Sequence, residues 1–272
     1  MSLSAQFPDK KDIEDRLAFI SSAAHKSADV ILPYFRSHFT VEHKEGQGRF
    51  DPVTEADRAG EEIIRQMIEK TYPDDAILGE EFGKKDGTSP YCWVLDPIDG
   101  TRSFISGIPL WGTLIGLTFE GHSIMGAMHQ PYIGELFLGS PHGTFLLRNG
   151  ERKQLKTRQC THISDALMAS TAPEIFNKPE DISAFERVKK AVKLTRFGGD
   201  CYLYSLIAAG QLDLVVETAL EAYDIAALVP IVENAGGIIT TWEGEPASNG
   251  GRIIAAGCQE LHETAMELLQ TN

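Results

Sequence analysis

Cysteine is scarce: Cys92, Cys160, Cys201 and Cys258 stand far apart in 272 residues and form no CxxC pair. Such spacing does not suit a disulfide framework, so the four read as scattered reduced thiols. The eight histidines include no HExxH, and no early strand is followed by GxGxxG. These absences argue against a zinc hydrolase of that type and a Rossmann cofactor enzyme. Basic residues are few, 25 Lys+Arg against 39 Asp+Glu, for a formal net charge of −14. A general nucleic-acid binder needs clustered cations for counterion release, so that class is excluded. A small phosphorylated substrate is not, provided cations or helix N-termini neutralise its phosphate. No run approaches the roughly 18 apolar residues of a membrane span, and the opening MSLSAQFPDKKDIEDR lacks an apolar signal core. The expected compartment is the cytoplasm, with no membrane partner. What is present, 42% apolar residues with 25 Gly and 13 Pro, suits a folded chain of one large or two ordinary domains.

Ile13, Leu17, Ile20, Ala24, Ile31 and Phe35 recur at helical spacing. They predict one long helix with a single buried stripe, its last turn tightened by Pro33. Residues 39–43 suit a short strand, and the polar, Gly-rich 44–52 a loop. A second helix follows Thr54, with Ile63, Ile64, Met67 and Ile68 apolar; Thr54 and Asp57 are spaced as a capping box with Asp in place of Glu. Strands are expected at 76–78, ending at Gly79-Glu80-Glu81, and at 92–95, ending at Asp96. Apolar runs at 111–119, 123–129, 135–138 and 144–147 follow with no helix between them, which indicates an antiparallel meander flanked by the earlier helices. The charged stretch 148–153 marks the expected boundary between an α+β domain (1–148) and an α/β domain (149–272). In the second, strands are expected at 166–169, 194–197, 212–216, 238–241 and 252–255, with helices at 181–191, 200–209, 224–234 and 260–269.

Acids accumulate at the ends of these elements. Glu80 and Glu81 follow one strand, Asp96 and Asp99 follow another in LDPIDGT, Asp57 sits just inside a helix, and Asp224 opens a later one. If the two strands are neighbours, Glu80, Asp96 and Asp99 converge, and carboxylates that close raise one another's pKa unless cations compensate them. Carboxylates with a backbone carbonyl suit Mg²⁺ better than zinc. In Asp96-Pro97-Ile98-Asp99-Gly100-Thr101, Pro97 fixes φ and Gly100 admits close approach of backbone to ligand, so both acids can turn toward one point. The N–H groups of Gly100 and Thr101, at a helix start, would seat an anion. Glu80 and the Thr101 hydroxyl would orient a water for in-line attack on phosphorus. The two acids of this turn are three apart, not in the DxDxT spacing of an aspartyl-nucleophile phosphatase, which favours direct attack by water.

These same segments carry a family resemblance. GEE at 79–81, WVLDPIDGTRSF at 93–104 and YDIAALVPIVENAGG at 223–237, with DPVTEAD at 51–57, resemble the signatures of the inositol monophosphatase family of magnesium-dependent, lithium-sensitive phosphatases. GTRSFISGIPLWGTLIGL at 100–117 and FGGDCYLYSLIAAGQLDLVVE at 197–217 are most similar to the branch that hydrolyses histidinol phosphate in histidine biosynthesis. The resemblance spans most of the chain. It implies an α+β fold, a layered αβαβα sandwich of the inositol monophosphatase/fructose-bisphosphatase type, with the site between the two domains. It implies two or three Mg²⁺ ions: one on Glu80, Asp96 and the Ile98 carbonyl, one on Asp96, Asp99 and Asp224, and a third on Glu80 and waters with Asp57 nearby. Gly100 and Thr101 would contact phosphate, Thr101 with Glu80 would align the water, and a homodimer is the usual assembly. Two departures bear on substrate: Tyr223-Asp224 stands where inositol phosphatases carry Trp-Asp, and Ser103 where they tend to carry Asn.

Histidinol phosphate bears an ammonium and an imidazole beside its phosphate, so its recognition needs anions or acceptors beyond the metal ligands. Asp200 and Glu217 are the candidates. Their plainer readings are a helix N-cap for Asp200 and a solvated acid after a buried strand for Glu217. Thr101 and Asp224 can likewise serve as local caps. Arg102 faces solvent, balances the acidic rim or approaches substrate; Lys44 and Arg49 either close over phosphate or sit as charges on an exposed loop. The expected partner is a small phosphorylated metabolite. Inositol monophosphate, a nucleotide 3′-phosphate and a sugar phosphate compete with histidinol phosphate, and a non-enzymatic metal-binding module is the rival of a different class.

Overall fold

Asp9 starts the first helix, α1 (Lys10–Ile31), by accepting the Asp12 amide at 2.9 Å. Ile13, Ile20, Ala24 and Ile31 form its buried stripe, and Pro33 falls in the 3₁₀ turn that closes it. The structure, a computed structural model, describes residues 8–37, 41–43 and 52–271. Lys44 and Arg49 lie outside the described residues, as does the start of the strand expected at 39–43; its remainder is β1 (Val41–His43), paired with β2 (Pro52–Thr54). Then follow α2 (Glu55–Thr71), β3 (Ala76–Gly79), β4 (Gly83–Lys85), β5 (Tyr91–Asp99), α3 (Thr101–Ile105), β6 (Gly112–Phe119), β7 (His122–Gln130), β8 (Glu135–Ser140), β9 (Gly143–Arg148) and β10 (Glu151–Gln154). The second half contributes β11 (Leu167–Ser170), α4 (Pro179–Ala191), β12 (Leu194–Phe197), α5 (Tyr202–Ala208) and β13 (Leu214–Leu220). It ends with α6 (Ala222–Ile225), α7 (Leu228–Glu233), β14 (Ile238–Thr241), β15 (Gly251–Ala256) and α8 (Gln259–Gln270).

The large sheet has the order β10-β9-β8-β7-β6-β5-β3-β4 and is antiparallel except for the β3–β5 pair. The small sheet has the order β12-β11-β13-β15-β14. Helices α1 and α2 cover one face of the large sheet, and α5 and α7 lie between the sheets. Helices α4 and α8 pack together, α8 against β15, on the outer face of the small sheet. This is the expected αβαβα layering. Each interlayer space is filled by its own apolar cluster: Ile20, Ile64 and Trp93 under α1 and α2, Leu114, Ile207 and Ile231 between the sheets, and Phe185, Ile254 and Leu261 on the far side.

The glycines of the large sheet decide how closely the middle layer approaches. Gly116, Gly126 and Gly139 are register partners on β6, β7 and β8. A Cβ on Gly126 would overlap the Ala227 carbonyl, one on Gly139 the Ile231 amide, and one on Gly116 would lie 3.0 Å from the Ala227 amide. This bare row lets the backbone of the α6–α7 segment rest directly on the sheet, which sets the height at which Asp224 is presented.

At 148–153 the chain forms a hairpin turn, with Asn149 (φ 52°) and Gly150 (φ 78°) joining β9 to β10, and the large sheet continues to Gln154. Two expectations need correction. The helix expected over 224–234 is two short helices broken at Ala226-Ala227. Pro230 explains the break: it has no N–H for the Ala226 carbonyl, and its ring crowds that position. Asp200 is not a helix cap; it has φ 45°, the helix begins at Tyr202 and no side chain caps it.

Candidate active site

The parallel pairing of β3 with β5 aligns Gly79 with Leu95, and the Glu80 amide donates to the Leu95 carbonyl at 3.1 Å. Glu80 and Asp96 therefore leave adjacent strands at the same level. Strand β5 runs on past its expected end, but its register with β6 shifts between Asp96 and Asp99. Such a bulge changes the alternation of side chains, so both acids can serve one side. The kink is pinned locally. The Ile98 amide donates to Asp96 Oδ1 at 3.0 Å, Thr113 Oγ1 to the Pro97 carbonyl at 2.8 Å and Thr101 Oγ1 to the Ile98 carbonyl at 3.2 Å. Gly100, at φ 83°, then turns the chain into α3.

Asp224 arrives from the other half of the chain. It occupies the third position of α6 in a capping box with Glu221, whose amide donates to Asp224 Oδ2 at 2.7 Å. One carboxylate oxygen from each of Asp96, Asp99 and Asp224 lies within 4.8 Å of the others. Asp99 is also held from the second half, by the Cys201 amide at 2.7 Å from Oδ2. Burial pushes Asp96 well above the usual carboxylate range, and Glu80, Asp99, Asp224 and Asp57 push it further. Asp99 is raised first by burial and then by Asp200 and Asp224, against the hydrogen bonds from Cys201. Burial raises Asp224 to about 7, opposed by the Glu221 amide and reinforced by Glu80. Asp57, Glu80, Asp96, Asp99, Asp200 and Asp224 thus share one electrostatic neighbourhood. Acids gathered this closely, with oxygens of Asp96, Asp99 and Asp224 at the centre, are the donor set of a hard divalent cation.

Clustering has a measurable consequence. An acid whose pKa rises on folding holds more protons folded than unfolded between its usual and its raised value, so stability falls as pH climbs through that window. In chelator, the thermal midpoint should therefore drop between about pH 4 and about pH 7, the window set by Asp224, and magnesium should remove most of the slope. A midpoint with the same pH dependence with and without magnesium would speak against metal binding at these acids.

A cavity of about 150 Å³ opens beside the cluster, lined by Asp99, Asp224, Asp200, Cys201, Tyr204 and Glu217 among others. Glu217 is buried, not solvated. It accepts the Thr171 amide at 2.7 Å and the Tyr204 hydroxyl at 2.8 Å, and burial raises it to about 7 despite both donors. The strand breaks register just beyond it, where Ala219 takes φ 63°. Asp200 Oδ2 accepts from Ser103 Oγ at 2.9 Å, and a Cβ on Gly100 would lie 2.9 Å from the same oxygen. Burial raises the Asp200 carboxyl, opposed first by the Ser103 hydroxyl and then by the exposed Arg102. The structure thus brings together Asp57, Glu80, Asp96, Asp99 and Asp224, with Asp200 and Glu217 at the adjoining cavity. Sequence reasoning missed Tyr204, Thr171 and Cys201; each acts through hydrogen bonding that no local spacing encodes.

A five-layer αβαβα fold with an acidic, oxygen-only cluster where its two halves meet defines a metal-dependent phosphatase class. The inositol monophosphatase family model matches residues 12–272. A bifunctional phosphatase, the chloroplastic IMPL2 of Arabidopsis thaliana, is 41% identical over 268 residues, covering 94% of this chain and 75% of that protein. A histidinol-phosphatase of Chlorobaculum parvum is 36% identical, covering 86% and 88%. The solved structure of an inositol monophosphatase from Zymomonas mobilis superposes with a TM-score of 0.84 at 39% identity, covering 95% and 98%. The chain belongs to the inositol monophosphatase family, a magnesium-dependent family acting on small phosphomonoesters. Among the described residues no helix is long and apolar enough to cross a membrane.

Proposed function

We propose that this chain hydrolyses L-histidinol phosphate to L-histidinol and phosphate, as a cytoplasmic homodimer serving histidine biosynthesis. The observation that carries this reading is the Asp200 carboxylate, fixed by Ser103 and leaning over Gly100 at the expected phosphate seat. A carboxylate there that is not a metal ligand repels a phosphate anion, unless the substrate brings its own cation. An ammonium next to the phosphate turns that repulsion into an ion pair. Glu217, with two donors already committed to it, keeps acceptor capacity for an imidazole N–H. The histidinol-phosphatase relative supports the same choice.

Asp96, Asp99, Asp224, Glu80 and the Ile98 carbonyl would hold two or three magnesium ions, which supply charge neutralisation and polarisation of the phosphoryl group. Gly100 and Thr101 would hold the phosphate through their N–H groups. The Thr101 hydroxyl commits its proton to the Ile98 carbonyl, so its lone pairs face outward to accept from a water. Glu80 takes that water's second hydrogen bond and then its proton as attack proceeds in line. Asp57, 2% exposed at the head of α2, supports the hydrated side of the cluster. Asp200 orients the leaving group by its ammonium as the P–O bond breaks, and the departing oxygen takes a proton from solvent water to become the alcohol.

Comparing kcat/KM for histidinol phosphate and inositol 1-phosphate tests the reading. A preference of at least about 10²-fold for histidinol phosphate is expected, because a site built around a charged partner rejects an analogue lacking it. A clear preference for inositol 1-phosphate would overturn the substrate while leaving the hydrolytic chemistry intact.

A further inference from the structure

We propose that Glu61, absent from every motif above, is a positioning residue that fixes the direction of Glu80; this rests on Glu80 and its neighbours holding magnesium. Glu61 is fully buried, one helical turn after Asp57 on α2, so the two acids share a helix face. Its Oε2 accepts the Glu81 amide at 2.7 Å and its Oε1 the Phe82 amide at 3.2 Å. Arg65 Nε donates to Oε1 at 2.6 Å and its Nη2 to the Gly83 carbonyl. Three donors leave Glu61 little capacity for a ligand of its own.

The geometry concerns the two peptide groups that flank Glu80. The one before it is tied to β5, since the Glu80 amide donates to the Leu95 carbonyl. The one after it is tied to Glu61 through the Glu81 amide. With both peptide planes fixed, φ and ψ of Glu80 are fixed, and its side chain leaves the backbone in one direction. Gly79 completes the clamp, because a Cβ there would overlap the Glu61 carboxylate. The Glu61–Arg65 pair therefore holds the turn from α2 while β5 holds it from the sheet.

In Glu61→Gln one carboxylate oxygen becomes an NH₂ that cannot accept from a backbone amide. Magnesium binding by calorimetry should weaken at least about ten-fold, the scale of losing a partner that orients a ligand. KM for the phosphomonoester at saturating magnesium should stay within about two-fold, because no substrate contact is lost. The double variant E61Q/R65Q leaves no orphaned guanidinium; it should regain the thermal midpoint lost by E61Q but not the magnesium affinity. Wild-type magnesium affinity in E61Q, or its recovery in the double variant along with the midpoint, would overturn the proposal. Asp96→Asn separates the two layers of inference. If D96N also binds magnesium normally, the metal site itself is misplaced; if only E61Q does, the positioning role alone fails.

Discussion

Replacing Asp96, Asp99 or Asp224 singly with Asn should cut magnesium-dependent phosphomonoester hydrolysis by at least about 10²-fold, because polarising the phosphoryl oxygens and stabilising the leaving oxygen are worth several kcal/mol. The same variants should fold. Asn preserves shape, and in each case it removes an acid that burial raises above its ordinary value. In chelator the variants should therefore melt at or above the wild-type midpoint, while in magnesium the wild type should gain and they should not. That crossing pattern distinguishes loss of a metal ligand from loss of structure. Normal turnover in all three variants would remove the site.

Gly126→Val should do the opposite, acting on the fold first and on chemistry through it. The new side chain would be driven into the Ala227 backbone, and neither the sheet nor the α6–α7 segment can yield by a simple rotamer change. Overpacking of this kind costs about 3 kcal/mol or more, roughly a 10 °C fall in midpoint for a domain of this size. Because the displaced segment carries Asp224, folded G126V should also bind magnesium more weakly. Thermal melts and calorimetry of G126V check both. A midpoint within about 2 °C of wild type would show that the glycine row is not a close-contact surface.

The sequence made the acids legible and left their wiring hidden. Asp96, Asp99 and Glu80 are readable because each follows a short apolar strand, and the turn LDPIDGT is stiffened and opened by its own Pro and Gly. Asp224 is readable as an acid at a helix start, but its placement depends on the Gly116–Gly126–Gly139 row, whose members lie on three different strands. Glycine in a strand reads as weak β propensity until the partner across the interlayer space is known. A helix cap is the plainer reading of Asp200 because helix-start statistics favour Asp there. Its left-handed backbone, which Asp tolerates better than most residues, instead turns the side chain toward Ser103, 97 positions earlier. The hairpin at Asn149-Gly150 was hidden by its charge, since polar β10 residues give no alternating pattern. Glu61 offered one usable signal, its four-residue spacing from Asp57, but that spacing also describes any solvated helix face.

The central claim is that acids from both halves of the chain meet around one group of divalent cations. Crystals grown with Mn²⁺ in place of magnesium test it directly through anomalous scattering. A peak within coordination distance of Asp96, Asp99 and Asp224 together is the expected result, and D224N should weaken it. An absence of any peak among these three, or ions bound only at other surface acids, would contradict the claim.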